Sequence, residues 1–196
     1  MRQKSIILLL LSWMLAPTAC SHKASAAQAA LAKMNVPFTA ASFVNNASQG
    51  KSQVVSLFLD AGIDPDTQVT DGRTALEAAA LAGQVEVAKL LIERGANVNA
   101  ENKYQGTALM DAVCKGERDI ARILLDAGAD IEIKDRDGMT ALIYAAWFNQ
   151  VDMAKLLLER GADIKVKDRQ GWTALDRAQF KGNAEIARML IAKGVR

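Results

Sequence analysis

Histidine occurs once in the 196 residues, at His22, and cysteine twice, at Cys20 and Cys114. Zinc sites and nucleophile–base pairs need clusters of these side chains, so both chemistries lack their parts. Disulfides do not carry the fold either, because modification or removal of Cys20 would leave Cys114 without a partner. No glycine-rich phosphate loop is present. Neither sign of charge is in excess. From Cys20 onward 22 basic side chains stand against 22 acidic ones, so bulk charge offers nucleic acid no attraction. Long apolar runs are missing apart from one near the start, about 11 residues from Ser5 to Leu15, short of the ~20 that span a bilayer. Carboxylates such as Asp111, Glu117, Asp135 and Asp137 recur at turns and exposed helix faces, where solvated surface or capping explains them. These absences point away from an enzyme, a metal protein and a cofactor carrier.

What is present is periodic. Thr74, Thr107, Thr140 and Thr173 stand 33 residues apart, each opening Thr-Ala-Leu. The same step links Gly62, Gly95, Gly128, Gly161 and Gly194. It also links Gly50, Gly83, Gly116 and Gly182, with Asn149 in the slot that lacks glycine. A fixed period of roughly 20–50 residues marks stacked units, none able to bury its apolar face alone. Within one unit Thr74 is a helix N-cap, and Leu76, Ala79 and Ala80 fall on one helical face. Gly83 ends that helix. Val85, Val87, Ala88, Leu90, Leu91 and Ile92 give a second one, closed by Gly95 in the left-handed position. Val98-Asn99-Ala100 reads as a short extended return, turning at 102–106 into the next unit.

On these residues the chain resembles the ankyrin repeat family, and 137–163 carries the cleanest copy of both halves of its pattern. The resemblance covers roughly 38–196. It implies an all-α solenoid of five repeats with β-hairpin tips and degenerate ends, at about 38–70, 71–103, 104–136, 137–169 and 170–196. The sequence departs from the pattern twice. The family's proline is Ala75, Ala108, Ala141 and Ala174, and its histidine is Glu77, Met110, Ile143 and Asp176, which puts some local stability in doubt. Cys114, on a first helix, reads as small filler or as a reactive thiol.

The basic start and apolar core of 1–15 read as an export signal. Leu15-Ala-Pro-Thr-Ala-Cys20 resembles a bacterial lipoprotein signal over 1–19, which implies lipidation at Cys20, a membrane anchor and a periplasmic or outer-membrane address. Cleavage after Ala24-Ser25-Ala26 is the alternative. Residues 20–37 are expected as a tether with a short helix over 26–35, and Met34 is a candidate internal start giving a cytosolic form.

In an ankyrin stack the tips and the exposed faces of the first helices line a concave surface. The family's variable positions fall here on Tyr104, Asp111, Met139, Tyr144, Trp147, Phe148, Trp172, Arg177 and Phe180. Tyr144, Trp147 and Phe148 share one helical face by their spacing. Aromatic anchors beside arginine are the composition of binding hot spots. A monomer when free, binding another protein, is the expectation. An exported ankyrin domain resembles the immunity proteins that neutralise type VI lipase effectors, which implies a phospholipase-class toxin as partner. An envelope adaptor supporting an enzyme such as a peroxide-detoxifying protein is the second reading.

Overall fold

The computed structural model describes residues 16–194, with side chains from Ser21 onward. Of the signal expected over 1–19, residues 1–15, together with the side chain of Cys20, lie outside the described residues. Among these, eleven helices follow one another with no strand. They are α1 Ala16–Lys33, α2 Ala40–Ser48, α3 Ser52–Asp60, α4 Ala75–Leu81, α5 Val85–Glu93, α6 Ala108–Lys115, α7 Arg118–Asp126, α8 Ala141–Trp147, α9 Val151–Glu159, α10 Ala174–Phe180 and α11 Ala184–Gly194.

The helices form two rows. In one, α2, α4, α6, α8 and α10 pack in succession; in the other, α3, α5, α7, α9 and α11 do. The 33-residue step explains both. Val87, Ile120, Met153 and Ile186 occupy one slot of the second row, and Leu91, Leu124, Leu157 and Leu190 another, all buried. In the first row small residues such as Ala79, Ala112, Ala145 and Ala178 are fully buried and let neighbouring helices approach closely. Burying one leucine contributes about 1.5–3 kcal/mol, so a lone unit with two or three such residues stays unfolded until neighbours cover it.

Threonine stands at every N-cap of the first row and caps four of its five helices through its side chain, Thr140 making no such bond. Thr74 and Thr173 form full capping boxes with Glu77 and Asp176, while Thr107 accepts from the Met110 backbone. The first unit, which lacks Thr-Ala-Leu, uses Thr39 instead, accepting from the Ser42 N–H. Asn149 takes the left-handed conformation at φ 57, which confirms its place in the glycine series.

The tips differ from expectation. The segment Val98-Asn99-Ala100 is a turn rather than an extended return. Successive tips are joined by single backbone bonds: Lys103 N–H to Asp71 O at 3.1 Å, Arg136 N–H to Tyr104 O at 3.0 Å, and Arg169 N–H to Asp137 O at 2.9 Å. One bond per step stacks turns without making the repeated ladder a strand requires. The tips press tightly together at Gly138, whose φ is +76 and where a Cβ would stand 2.9 Å from the Arg169 nitrogen. Gly138→Ala should therefore cost about 1–2 kcal/mol from the left-handed backbone alone, plus the clash, measured by urea denaturation.

The segment expected to be a tether is a helix. α1 packs on α3, with Ala27 and Leu31 buried, Gln28 Nε2 donating to Ala61 O at 3.5 Å, and Lys23 paired with Asp60 at 3.1 Å. It ends as the second helices end. Val36 N–H reaches back to Leu31 O, as Ile63 does to Phe58, Ala96 to Leu91 and Ala129 to Leu124. Asn35, at φ 54, stands where those helices have Gly62, Gly95 and Gly128. α1 is thus half a unit, covering the apolar end of the second row.

Candidate binding face

Asn102, Asp135 and Asp168 occupy one position in three successive tips. Asp135 Oδ1 accepts the backbone N–H groups of Asp137 and Met139 at 2.9 and 2.8 Å, and Asp168 Oδ1 those of Gln170 and Trp172 at 2.9 and 3.0 Å. Asn102 Oδ1 does the same for Tyr104 and Gly106 at 2.8 and 3.1 Å. Each side chain thus closes an Asx turn and braces its tip. The remaining side-chain atom of each residue then ties the tip to a first helix. Tyr144 Oη donates to Asp135 Oδ2, Arg177 Nε and Nη2 donate to Asp168 Oδ2, and Asn102 Nδ2 donates to Glu77 Oε1 at 2.8 Å. Glu77 thereby takes over the turn-tying task whose usual histidine is missing.

Arg177 was expected on the surface and is instead buried. Its guanidinium lies between Trp147 and Trp172, 4.9 and 4.8 Å from the ring centroids, and also donates to Gln170 Oε1 at 2.9 Å. Two faces of π density stabilise a cation that already has a carboxylate partner, and the sandwich holds both indoles fixed. Phe180 stacks on Trp147 at 6.2 Å and meets Trp172 edge-on at 5.1 Å, while Lys181 Nζ stands 4.5 Å over Trp147. Phe148 stacks on Tyr144 at 6.2 Å, and Arg136 lies over Tyr104 at 5.8 Å. The outer layer is exposed: Tyr104 by 64%, Phe148 by 49% and Phe180 by 65%. Trp147, Trp172, Tyr144, Met139 and Asp111 are half-buried. The nine expected residues thus divide into an exposed apolar outer set and a half-buried or buried bracing set. Sequence reasoning missed Glu77 as a buried link and Lys181 as a ring contact.

Burial governs the ionisable groups. It pushes the Glu77 carboxyl up to about 7, with the Thr74 N–H opposing and Asp111 adding to the rise. It pushes Asp111 up to about 6 against Arg73 and Lys115. Tyr144 is raised by burial and by its bond to Asp135. Burial also lifts the Cys114 thiol to about 12, which favours the filler reading of Cys114 over the reactive thiol. Asp168 behaves oppositely. Its burial is outweighed by the Trp172 N–H, Arg177 and the Gln170 N–H, which hold it below the usual carboxylate range.

Glu77 and Asp111 bind protons more tightly folded than unfolded, so their contribution to stability is full below pH ~4 and is lost as pH rises through about 6–7. Asp168 contributes above its unfolded value near 3.8 and loses this on further acidification. Urea denaturation should therefore show stability falling by on the order of 2 kcal/mol from pH 5 to pH 8. Glu77→Gln should flatten that slope.

Among the described residues no group of three or more His, Cys, Asp and Glu side chains converges to hold a metal ion, and no helix is long and apolar enough to cross a membrane. The model of the family described as Ankyrin repeats (3 copies) matches residues 43–135, 107–168 and 132–196. The chain belongs to the ankyrin repeat family. A search of curated proteins gave no match. Ankyrin repeats are in general non-catalytic modules that bind other proteins, and the exposed rings of this ankyrin stack have the composition of such an interface.

Proposed function

We propose that this chain is an exported immunity protein, lipid-anchored through Cys20, that binds and neutralises a phospholipase-type toxin delivered to the bacterial envelope. The observation that carries the reading is the exposure of Tyr104, Phe148 and Phe180, with Phe180 packed on the braced Trp147–Arg177–Trp172 sandwich and Phe148 stacked on Tyr144. Exposed rings of this size are a liability for a solitary protein and suit a partner. Inhibition follows from coverage: the face occupies the mouth of the toxin's active site, or holds a lid closed, and needs no chemistry of its own. The export motif at 1–20 supports the compartment in which such toxins act.

The test begins with the neighbouring genes, where the reading expects a phospholipase-type toxin, and measures inhibition of that enzyme. An equimolar amount of the protein should abolish its phospholipase activity. The Tyr104→Ala/Phe148→Ala/Phe180→Ala variant should weaken inhibition by at least about tenfold, with helical circular dichroism unchanged. A neighbouring catalase-type enzyme stabilised by the protein, with no effect on any lipase, would replace this reading by the adaptor one.

A further inference from the structure

We infer that the partner meets this face with an acidic segment of protein that also carries apolar side chains. The inference rests on the reading that the face docks a protein, and deepens it. The cations of the opposite row mostly have partners: Lys89 with Glu86 at 3.4 Å, Arg94 with Asp60 at 3.0 Å, Lys155 with Glu185 at 3.5 Å and Arg160 with Asp126 at 2.9 Å. The binding face is built differently. Lys103, Arg136 and Arg169 occupy one position in three tips joined by backbone bonds, all exposed and none in an ion pair.

Lys115 and Lys181 form a second line, at the slot of Phe148 in the units on either side of it, again exposed and unpaired. In position along the unit, Tyr104, Tyr144, Trp147, Trp172 and Phe180 fall between these two lines, and Phe148 stands in the second. In a chain whose charges balance overall from Cys20 onward, five cations outside any ion pair gathered beside exposed rings make a local positive field. Such a field steers carboxylates in and leaves affinity to the rings. Asp111 and Asp137 interrupt the lines, which suits a partner with interspersed carboxylates better than the unbroken phosphates of nucleic acid or a lipid surface.

Three fluorescent peptides of about twelve residues test this, alike in a central Leu-Phe pair and differing only in four flanking positions that are Glu, Gln or Lys. In anisotropy titrations with the full chain, the Glu peptide should bind about tenfold tighter than the Gln peptide, and the Lys peptide weakest. Raising salt from about 50 to 300 mM should erode the Glu peptide's advantage. Lys103→Glu/Arg136→Glu/Arg169→Glu should reverse the preference, and circular dichroism should confirm its fold.

Equal binding of the Glu and Gln peptides, preference for the Lys peptide, or binding of none overturns the inference. So does tighter binding of oligothymidine or phosphatidylglycerol vesicles than of the Glu peptide. Binding of the Gln or Lys peptide that Phe148→Ala/Phe180→Ala abolishes sinks only the acidic partner and keeps the docking face. Glu-peptide binding indifferent to that double variant sinks the face itself.

Discussion

A chain beginning at Met34 should melt about 10 °C below the full chain. Losing α1 removes Leu31, which is 1% exposed, and Ala27, and uncovers the surface of α3 against which they pack. Burial of the leucine alone is worth about 1.5–3 kcal/mol, and the newly wetted face of α3 adds a comparable amount. At about 2–4 °C per kcal/mol for a chain of this size, the fall follows directly. Because each unit touches only its neighbours, the loss should begin as fraying of α2 and α3, seen as hydrogen exchange there before the later units. The same result bears on the internal start proposed at Met34: a cytosolic form made from it would be a destabilised one. An unchanged melting temperature would mean that α1 adds nothing to the stack.

The second large effect is expected at Arg177. Replacement by methionine keeps much of the stem but removes the charge from between Trp147 and Trp172, stranding the carboxylate of Asp168, which is 6% exposed. Breaking a buried ion pair from one side costs about 3–5 kcal/mol. Asp168→Asn in the same chain should recover part of this, because its Oδ1 still accepts the Gln170 and Trp172 N–H groups while no charge is left buried. Denaturant melts of the two single variants and the double variant give the coupling energy. A coupling near zero would mean that the pair does not hold the sandwich together. Tryptophan emission should shift in Arg177→Met as the indoles lose their spacer.

How much of this was legible in the sequence follows from what each feature depends on. The Thr-Ala-Leu caps, the left-handed glycines and the apolar slots are local signals at a constant step, and the family assignment and both helical rows follow from them. α1 escaped because its signal is broken in two ways. Its left-handed closing residue is Asn35 rather than glycine, and Asn35 precedes Gly62 by 27 residues instead of 33. The first unit hides its cap for a related reason: α2 is nine residues long where α4 is seven, which moves Thr39 out of register.

The tips were expected to extend from the reading of Val98-Asn99-Ala100 and from the hairpins that the family resemblance implies. Whether one backbone bond or several joins two tips depends on how closely they stack, which spacing does not reveal. Arg177 reads as a surface cation in its own helix. Its burial comes from Asp168 and Trp172 in the tip and from Trp147 in the preceding unit, a convergence visible only in three dimensions. The exposed layer of Tyr104, Phe148 and Phe180 was legible, because each sits at a variable position with no partner slot in the core.

The central claim is that a protein docks on the tips and first helices. Photo-crosslinking in the native cell tests it most directly, with p-benzoylphenylalanine at positions 104, 148 and 180 compared with positions 89, 122 and 155 on the opposite row. The account predicts one shared protein adduct from the first three positions and none from the others. Adducts confined to the opposite row, or none from either set, would contradict it.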